Sequence, residues 1–138
     1  KKILLLYSKS VTFMGQSGNG QLAKMVNQIC IASLIQGLSE GLNFGKKKGL
    51  KFDALFEAIS KGAAQSWQMD NRAKTMWNEK FRFGFMNILM VKDLKIVTKS
   101  ARNSGIKIPT THQILKFYKK IAKQFPRDDT SSLIKLLK

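Results

Sequence analysis

From Gln21 to Lys48 the sequence keeps an unbroken helical period, and between Ile29 and Ile35 it is apolar nearly all round. Such a helix needs neighbours on more than one side, as a helix inside a bundle or at a subunit interface has. Leu22, Val26, Ile29, Ser33 and Gln36 lie on one stripe, flanked by Met25, Ala32 and Ser39. Gly37, Gly41 and Gly45 follow at four-residue spacing on one face. Each costs a helix up to about 1 kcal/mol relative to alanine, so their repetition predicts either the close approach of another backbone or an early end to the helix. Lys46-Lys47-Lys48 and Gly49 then read as a basic last turn and a glycine stop.

The rest of the chain is organised around that helix. Helical patterns cover about 53–60, 66–77, 86–103 and 110–124, and a short terminal helix covers about 130–137 with Asp129 or Thr130 as its cap. Gly105, with Pro109 beyond it, stops the third of these. Lys1 to Ser8 can form another short helix, and Val11-Thr12-Phe13-Met14 is the one good strand candidate. The expected fold is all-α: a helical bundle led by one long helix, with a short N-terminal strand or linker. A chain of 138 residues suits one domain that buries roughly two thirds of its unfolded surface.

Several classes are excluded early. Cys30 is the single cysteine, so no internal disulfide framework or thiolate zinc cluster is available. The apolar part of Lys1-Lys2-Ile3-Leu4-Leu5-Leu6 is too short for a signal core, and no run approaches the ~20 residues of a membrane span. These features point to the cytoplasm. Without an initiator methionine, the chain reads as part of a longer one.

Charge is the ambiguous feature. Twenty-five Lys+Arg against 8 Asp+Glu give +17, which suits a polyanionic partner. Only Arg72, Arg82, Arg102 and Arg127 are arginines, however, and the lysines are spread from end to end. Readers of phosphates and bases prefer the arginine fork, so this composition disfavours nucleic acid.

The chemistry gathers at the start of the long helix. Gly15-x-x-Gly18-x-Gly20 is a glycine turn opening a helix, where free N–H groups can meet an anion; it matches neither the dinucleotide fingerprint nor a P-loop. Lys24 follows, with Asn27 and Gln28 three and four residues on, so an ammonium and an amide converge on one patch. Partial burial and the positive helix end there would favour a neutral amine, which suits proton exchange. A snorkelling surface lysine is the alternative. His112 stands alone with no second metal ligand, and Ser66 has no recognisable base beside it, so no metal site is expected.

The run from Gly15 to Gln28 resembles the catalytic segment of the β-hydroxyacid dehydrogenases, the family of 3-hydroxyisobutyrate dehydrogenase and tartronate semialdehyde reductase within the 6-phosphogluconate dehydrogenase superfamily. The resemblance continues through Glu40-Gly41-Leu42 with Gly49-Leu50, Gly62 to Trp67, Phe81 to Phe85, Met90-Val91-Lys92-Asp93-Leu94, Gly105 to Thr110, and Asp129-Thr130-Ser131-Ser132.

That resemblance implies a fold like the C-terminal domain of 6-phosphogluconate dehydrogenase. Residues 1–14 would be the end of an interdomain region with a short lead-in strand, and residues 15–138 a helical catalytic-lysine and dimerisation domain. An N-terminal Rossmann domain, absent from this chain, would bind most of the NAD or NADP. The implied activity interconverts a short 3-hydroxy acid and its semialdehyde or oxo acid by hydride transfer, the fragment alone being inactive. Lys24 would be the general acid/base. Gly20, Asn27 and Gln28 would meet the substrate, and Lys92, Phe85 and Trp67 the cofactor. The family commonly carries a second asparagine where Gln28 stands, so the amide here is one methylene longer. Asp93 reads as a structural partner or cap. Expected partners are the small hydroxy acid, the chain's own Rossmann domain and a second copy in a homodimer or higher oligomer, with no membrane. The competing readings are a non-catalytic oligomerisation or regulatory domain of the same family and a basic nucleic-acid-binding module.

Overall fold

The computed structural model describes residues 2–137. Six α-helices follow one another: α1 (Lys2–Leu5), α2 (Asn19–Lys47), α3 (Phe52–Ile59), α4 (Trp67–Trp77), α5 (Asn87–Asn103) and α6 (Pro109–Gln124), and a 3-10 helix (Thr130–Leu137) closes the chain. No helix among the described residues is long and apolar enough to cross a membrane.

Local chemistry sets the boundaries. Gly18 adopts φ 94° at the N-cap of α2, a left-handed conformation open to glycine, while Asn19 Nδ2 donates to the Met14 carbonyl and ties the turn shut. At the far end Gly49 at φ 78° lets Leu50 N–H return to the Gly45 carbonyl, and Lys47 Nζ donates to the Leu137 carbonyl. Ser66 caps α4 by accepting from Met69 N–H at 3.1 Å. Pro109 begins α6, the first-turn position that needs no N–H.

The long helix is the spine, packing against α4, α5, α6 and the 3-10 helix. Its N-terminal half gives Ala32 and Ile35 to a core with Met90 and Leu94 of α5, Ile114, Tyr118 and Ile121 of α6, and Leu133. Its C-terminal half gives Leu42 to a second core with Met69, Ala73 and Met76 of α4, Phe81 and Ile134, against which the apolar face of α3 leans. The first core fixes the part of α2 that carries Lys24 beside α5.

Four expectations need correction or refinement. Val11–Met14 forms no strand: no segment among the described residues pairs with it, a lone strand has no ladder to satisfy its backbone, and Phe13 stands 90% exposed. The buried stripe of α2 runs through Gln28, Ala32, Ile35, Ser39, Leu42 and Gly45, whereas Leu22 and Val26 are exposed. Where a helix is apolar on two sides, period alone does not choose the inner one. Among the described residues none of the three glycines meets another backbone: a Cβ at Gly45 would meet the Leu55 side chain of α3, with Cδ2 at 2.9 Å, and Gly37 and Gly41 face open space. The terminal helix is 3-10, not α, with Asp129 as its cap: Oδ1 accepts from Ser131 N–H at 3.0 Å and Ser131 Oγ at 2.6 Å.

Candidate active site

Lys24 and Gln28 are one turn apart on α2, and Lys92 and Asp93 face them from α5. Between the helices lies a cavity of ≈ 180 Å³, lined by these four with Gln21, Met25, Ile96 and Val97. Pairing the first halves of α2 and α5 through Ala32, Ile35, Met90 and Leu94 is what brings residues so distant in sequence together.

Asp93 is the hub of the polar wall. Its Oδ2 accepts from Gln28 Nε2 at 2.9 Å, and its Oδ1 pairs with Lys92 Nζ at 3.3 Å. Gln28 Oε1 in turn accepts from Asn27 Nδ2 at 3.1 Å, so both ends of that amide are engaged. Gln28 and Asp93 are buried, whereas the Lys92 side chain is 59% exposed at the open side. Lys24 is likewise exposed and forms no ion pair among the described residues; the partial burial expected for it is not provided by this chain. The cavity thus presents one unpaired ammonium beside a locked amide and a second ammonium held by a carboxylate.

Lys24, Gln28 and Lys92 thus line one cavity. Asn27 stands beside Gln28 but outside the cavity lining, and Gly20 is exposed in the first turn of α2 with open space where a Cβ would point. Trp67 and Phe85 lie outside the cavity: Trp67 opens α4, 59% exposed, its ring 5.1 Å from Arg72 Cζ, and Phe85, 36% exposed, is held by its backbone N–H on Asp129 Oδ2. No cluster of three His, Cys, Asp or Glu able to hold a metal occurs among the described residues.

Asp93 is more central than the sequence suggested. It sits far from either end of α5, so it caps nothing. The signal was available: Met90, Leu94 and Val97 make the buried face of α5, and an acidic residue on such a face needs partners.

A wider apolar groove, ≈ 770 Å³, runs elsewhere along α2 between Leu34, Gly37, Gly41, Leu55 and Ile59. It shares no lining residue with the lysine cavity.

Residues 18–137 match the family described as NAD-binding of NADP-dependent 3-hydroxyisobutyrate dehydrogenase. The chain is 49% identical over 135 residues to an uncharacterised oxidoreductase of Shewanella frigidimarina, covering 97% of this chain and 46% of that protein. It is 32% identical over 111 residues to the 2-hydroxy-3-oxopropionate reductase of Escherichia coli, covering 80% of this chain and 38% of that protein. The structure of Mycobacterium tuberculosis 3-hydroxyisobutyrate dehydrogenase with L-serine aligns at a TM-score of 0.87 and 25% identity, covering 94% of this chain and 47% of that one. The chain spans about half the length of the curated relatives it matches, or less.

Proposed function

The chain belongs to the 3-hydroxyisobutyrate dehydrogenase family, and from that premise we propose that it is the helical, catalytic-lysine part of an NAD(P)-dependent dehydrogenase acting on short 3-hydroxy acids. The observation that carries the proposal is the convergence of Lys24 and Gln28 of α2 with Lys92 of α5 on one cavity.

When bound, the nicotinamide cofactor supplies the hydride acceptor or donor. The residues present fit only its nicotinamide end. The exposed Lys92 ammonium at the cavity suits the ring's carboxamide, and the partly exposed Phe85 and Trp67 outside the cavity are the aromatic groups left for the ring to meet, whereas no Gly-x-Gly-x-x-Gly occurs in the sequence. Most of the cofactor grip then belongs to a Rossmann domain outside this chain, and the isolated chain is expected to be inactive.

In the oxidation direction Lys24 Nζ takes the hydroxyl proton as neutral amine while the carbon gives up hydride; in reduction the ammonium returns the proton to the carbonyl oxygen. Gln28 supplies a fixed amide to hold the substrate one helical turn from Lys24, and Gly20 leaves its approach over α2 unobstructed. The exposed ends of Lys24 and Lys92 leave room for the second domain to close over them.

The apolar groove beside Gly37 and Gly41 is where a second copy of the chain would pack, giving at least a homodimer.

Activity is tested with the full-length protein carrying this chain, by following reduced nicotinamide with NAD or NADP against a series of short 3-hydroxy acids. Turnover of at least one supports the proposal, and no turnover of any removes it.

A further inference from the structure

Two loops are laced together where α6 gives way to the 3-10 helix. Asn87 N–H donates to the Asp128 carbonyl at 2.9 Å and Ile88 N–H to the Pro126 carbonyl at 3.1 Å, while Asp129 N–H donates to the Phe81 carbonyl at 2.8 Å. The Asn87 side chain adds a bond to the Phe125 carbonyl, also at 2.8 Å. Residues 125–129 are thus fixed against residues 81–88. Against this frame lies a cavity of ≈ 450 Å³, lined by Arg82, Gln124, Phe125, Pro126, Arg127 and Asp128. It shares no lining residue with the lysine cavity or the apolar groove.

The charges in this cavity do not balance. Asp128, the one acid of its lining, is taken by Lys135 Nζ at 2.7 Å, and that ammonium also lies 3.6 Å from the centre of the Phe125 ring. Arg82 and Arg127 are exposed and pair with no carboxylate among the described residues. Lysine supplies most of the chain's cations, yet of Arg72, Arg82, Arg102 and Arg127 two meet in this one pocket. A guanidinium is a planar fork that matches two oxygens of one anion, whereas an ammonium is a point charge.

We propose that this pocket binds a small phosphate monoester, with Arg82 and Arg127 on the phosphate and Phe125 and Gln124 against the organic part. A phosphate monoester carries about −1.5 to −2 near pH 7, the charge that two guanidiniums neutralise, whereas a single carboxylate would leave one of them unanswered. The volume falls within the ~300–1,000 Å³ usual for small-molecule pockets, which leaves room for carbon beyond the phosphate. Because no lining residue has a part in the proposed hydride transfer, the site stands or falls independently of the dehydrogenase reading.

The test is calorimetric titration of the 138-residue chain with inorganic phosphate and with glycerol 3-phosphate. Ionic strength is held at about 0.15 M with sodium chloride, so that the +17 field is equally screened throughout. Both ligands should bind saturably with Kd of about 1 mM or below, the ester no more weakly than phosphate. Arg82→Gln with Arg127→Gln should weaken both at least about tenfold, the scale of lost charge-assisted hydrogen bonds. Arg82→Lys with Arg127→Lys keeps the charge but not the forks, and should still lose about threefold or more. Lys119→Gln with Lys123→Gln removes as much charge from exposed positions of α6, and should change Kd by less than about twofold. Circular dichroism checks that each variant remains folded. No saturable binding by the parent, a site that takes phosphate but refuses the ester, full retention in the lysine-for-arginine variant, or equal losses in the arginine and α6 lysine pairs would each overturn the proposal.

Discussion

Arg72 Nε donates to Asp129 Oδ1 across 3.1 Å, onto a carboxylate with no exposed surface. The same carboxylate accepts from Phe85 N–H on Oδ2 and from Ser131 N–H and Oγ on Oδ1. The guanidinium lies between two rings, with Cζ 5.1 Å from Trp67 and 4.9 Å from Phe83. One ion pair thereby joins α4, the aromatic loop before α5 and the 3-10 helix, and it holds both aromatic residues proposed to face the cofactor. Gly84 sits against it at φ 70°, where a Cβ would collide with Asp129 Oδ2.

Asp129→Ala is therefore expected to cost about 3–5 kcal/mol, because it strands a largely buried guanidinium and several N–H donors. Urea unfolding of the 138-residue chain measures it. A loss under about 1 kcal/mol would show that the loop is held by other contacts. Gly84→Ala should also destabilise, through both its φ and the collision.

Alkaline pH should weaken the fold through Tyr118. Burial first, and the nearby Asp129 charge second, raise its phenol well above the ordinary value of 10.0. A raised folded pKa means the neutral phenol is the form the fold favours. The associated stability is intact below pH 10 and falls away as pH rises above it. Tyr118→Phe removes the titration. The stability difference between variant and parent should therefore drift in favour of the variant from pH 9 to 11, and a constant difference would contradict this.

Most of the fold was legible because its punctuation is local. Ser66, Gly49, Gly105 and Pro109 act within a few residues of themselves, and α2, α4, α5 and α6 begin and end within a residue or two of the sequence reading. What failed depends on distant partners. Val11–Met14 has strand composition but nothing to pair with, and α2 offers two apolar faces whose roles only α4, α5 and α6 decide. At the site, Lys24 and Gln28 were visible as residue types at helical spacing, and Lys92 only through the family resemblance. The bond from Gln28 to Asp93 spans 65 positions and the Arg72–Asp129 pair 57, separations no local pattern encodes.

Self-association should depend on the groove along α2. Light scattering of the chain at micromolar concentration in physiological salt is expected to give at least twice 15.6 kDa. The +17 charge opposes association, but screening confines that repulsion to about 8 Å, and apolar burial at ~25 cal/mol per Å² outweighs it. Leu34→Asp, on the groove wall, should return the mass to one chain. A parent mass of 15.6 kDa would contradict pairing through the groove.

Gln28→Ala should weaken hydroxy-acid binding more than turnover, since it removes the amide proposed to hold substrate and leaves the proposed proton donor Lys24 in place. Its KM for short 3-hydroxy acids should rise about tenfold or more. An unchanged KM for all of them would show that the amide serves only the Asp93 contact.

The central claim is that Lys24 exchanges the proton. The most direct measurement is kcat of Lys24→Ala and Lys24→Arg in the full-length protein, with circular dichroism to confirm the fold. General acid–base groups contribute ~10²–10⁴-fold, and guanidinium does not give up its proton at working pH. Both variants should therefore lose at least about a hundredfold in kcat while remaining folded. Retention of most of the parent's kcat by either would contradict the assignment.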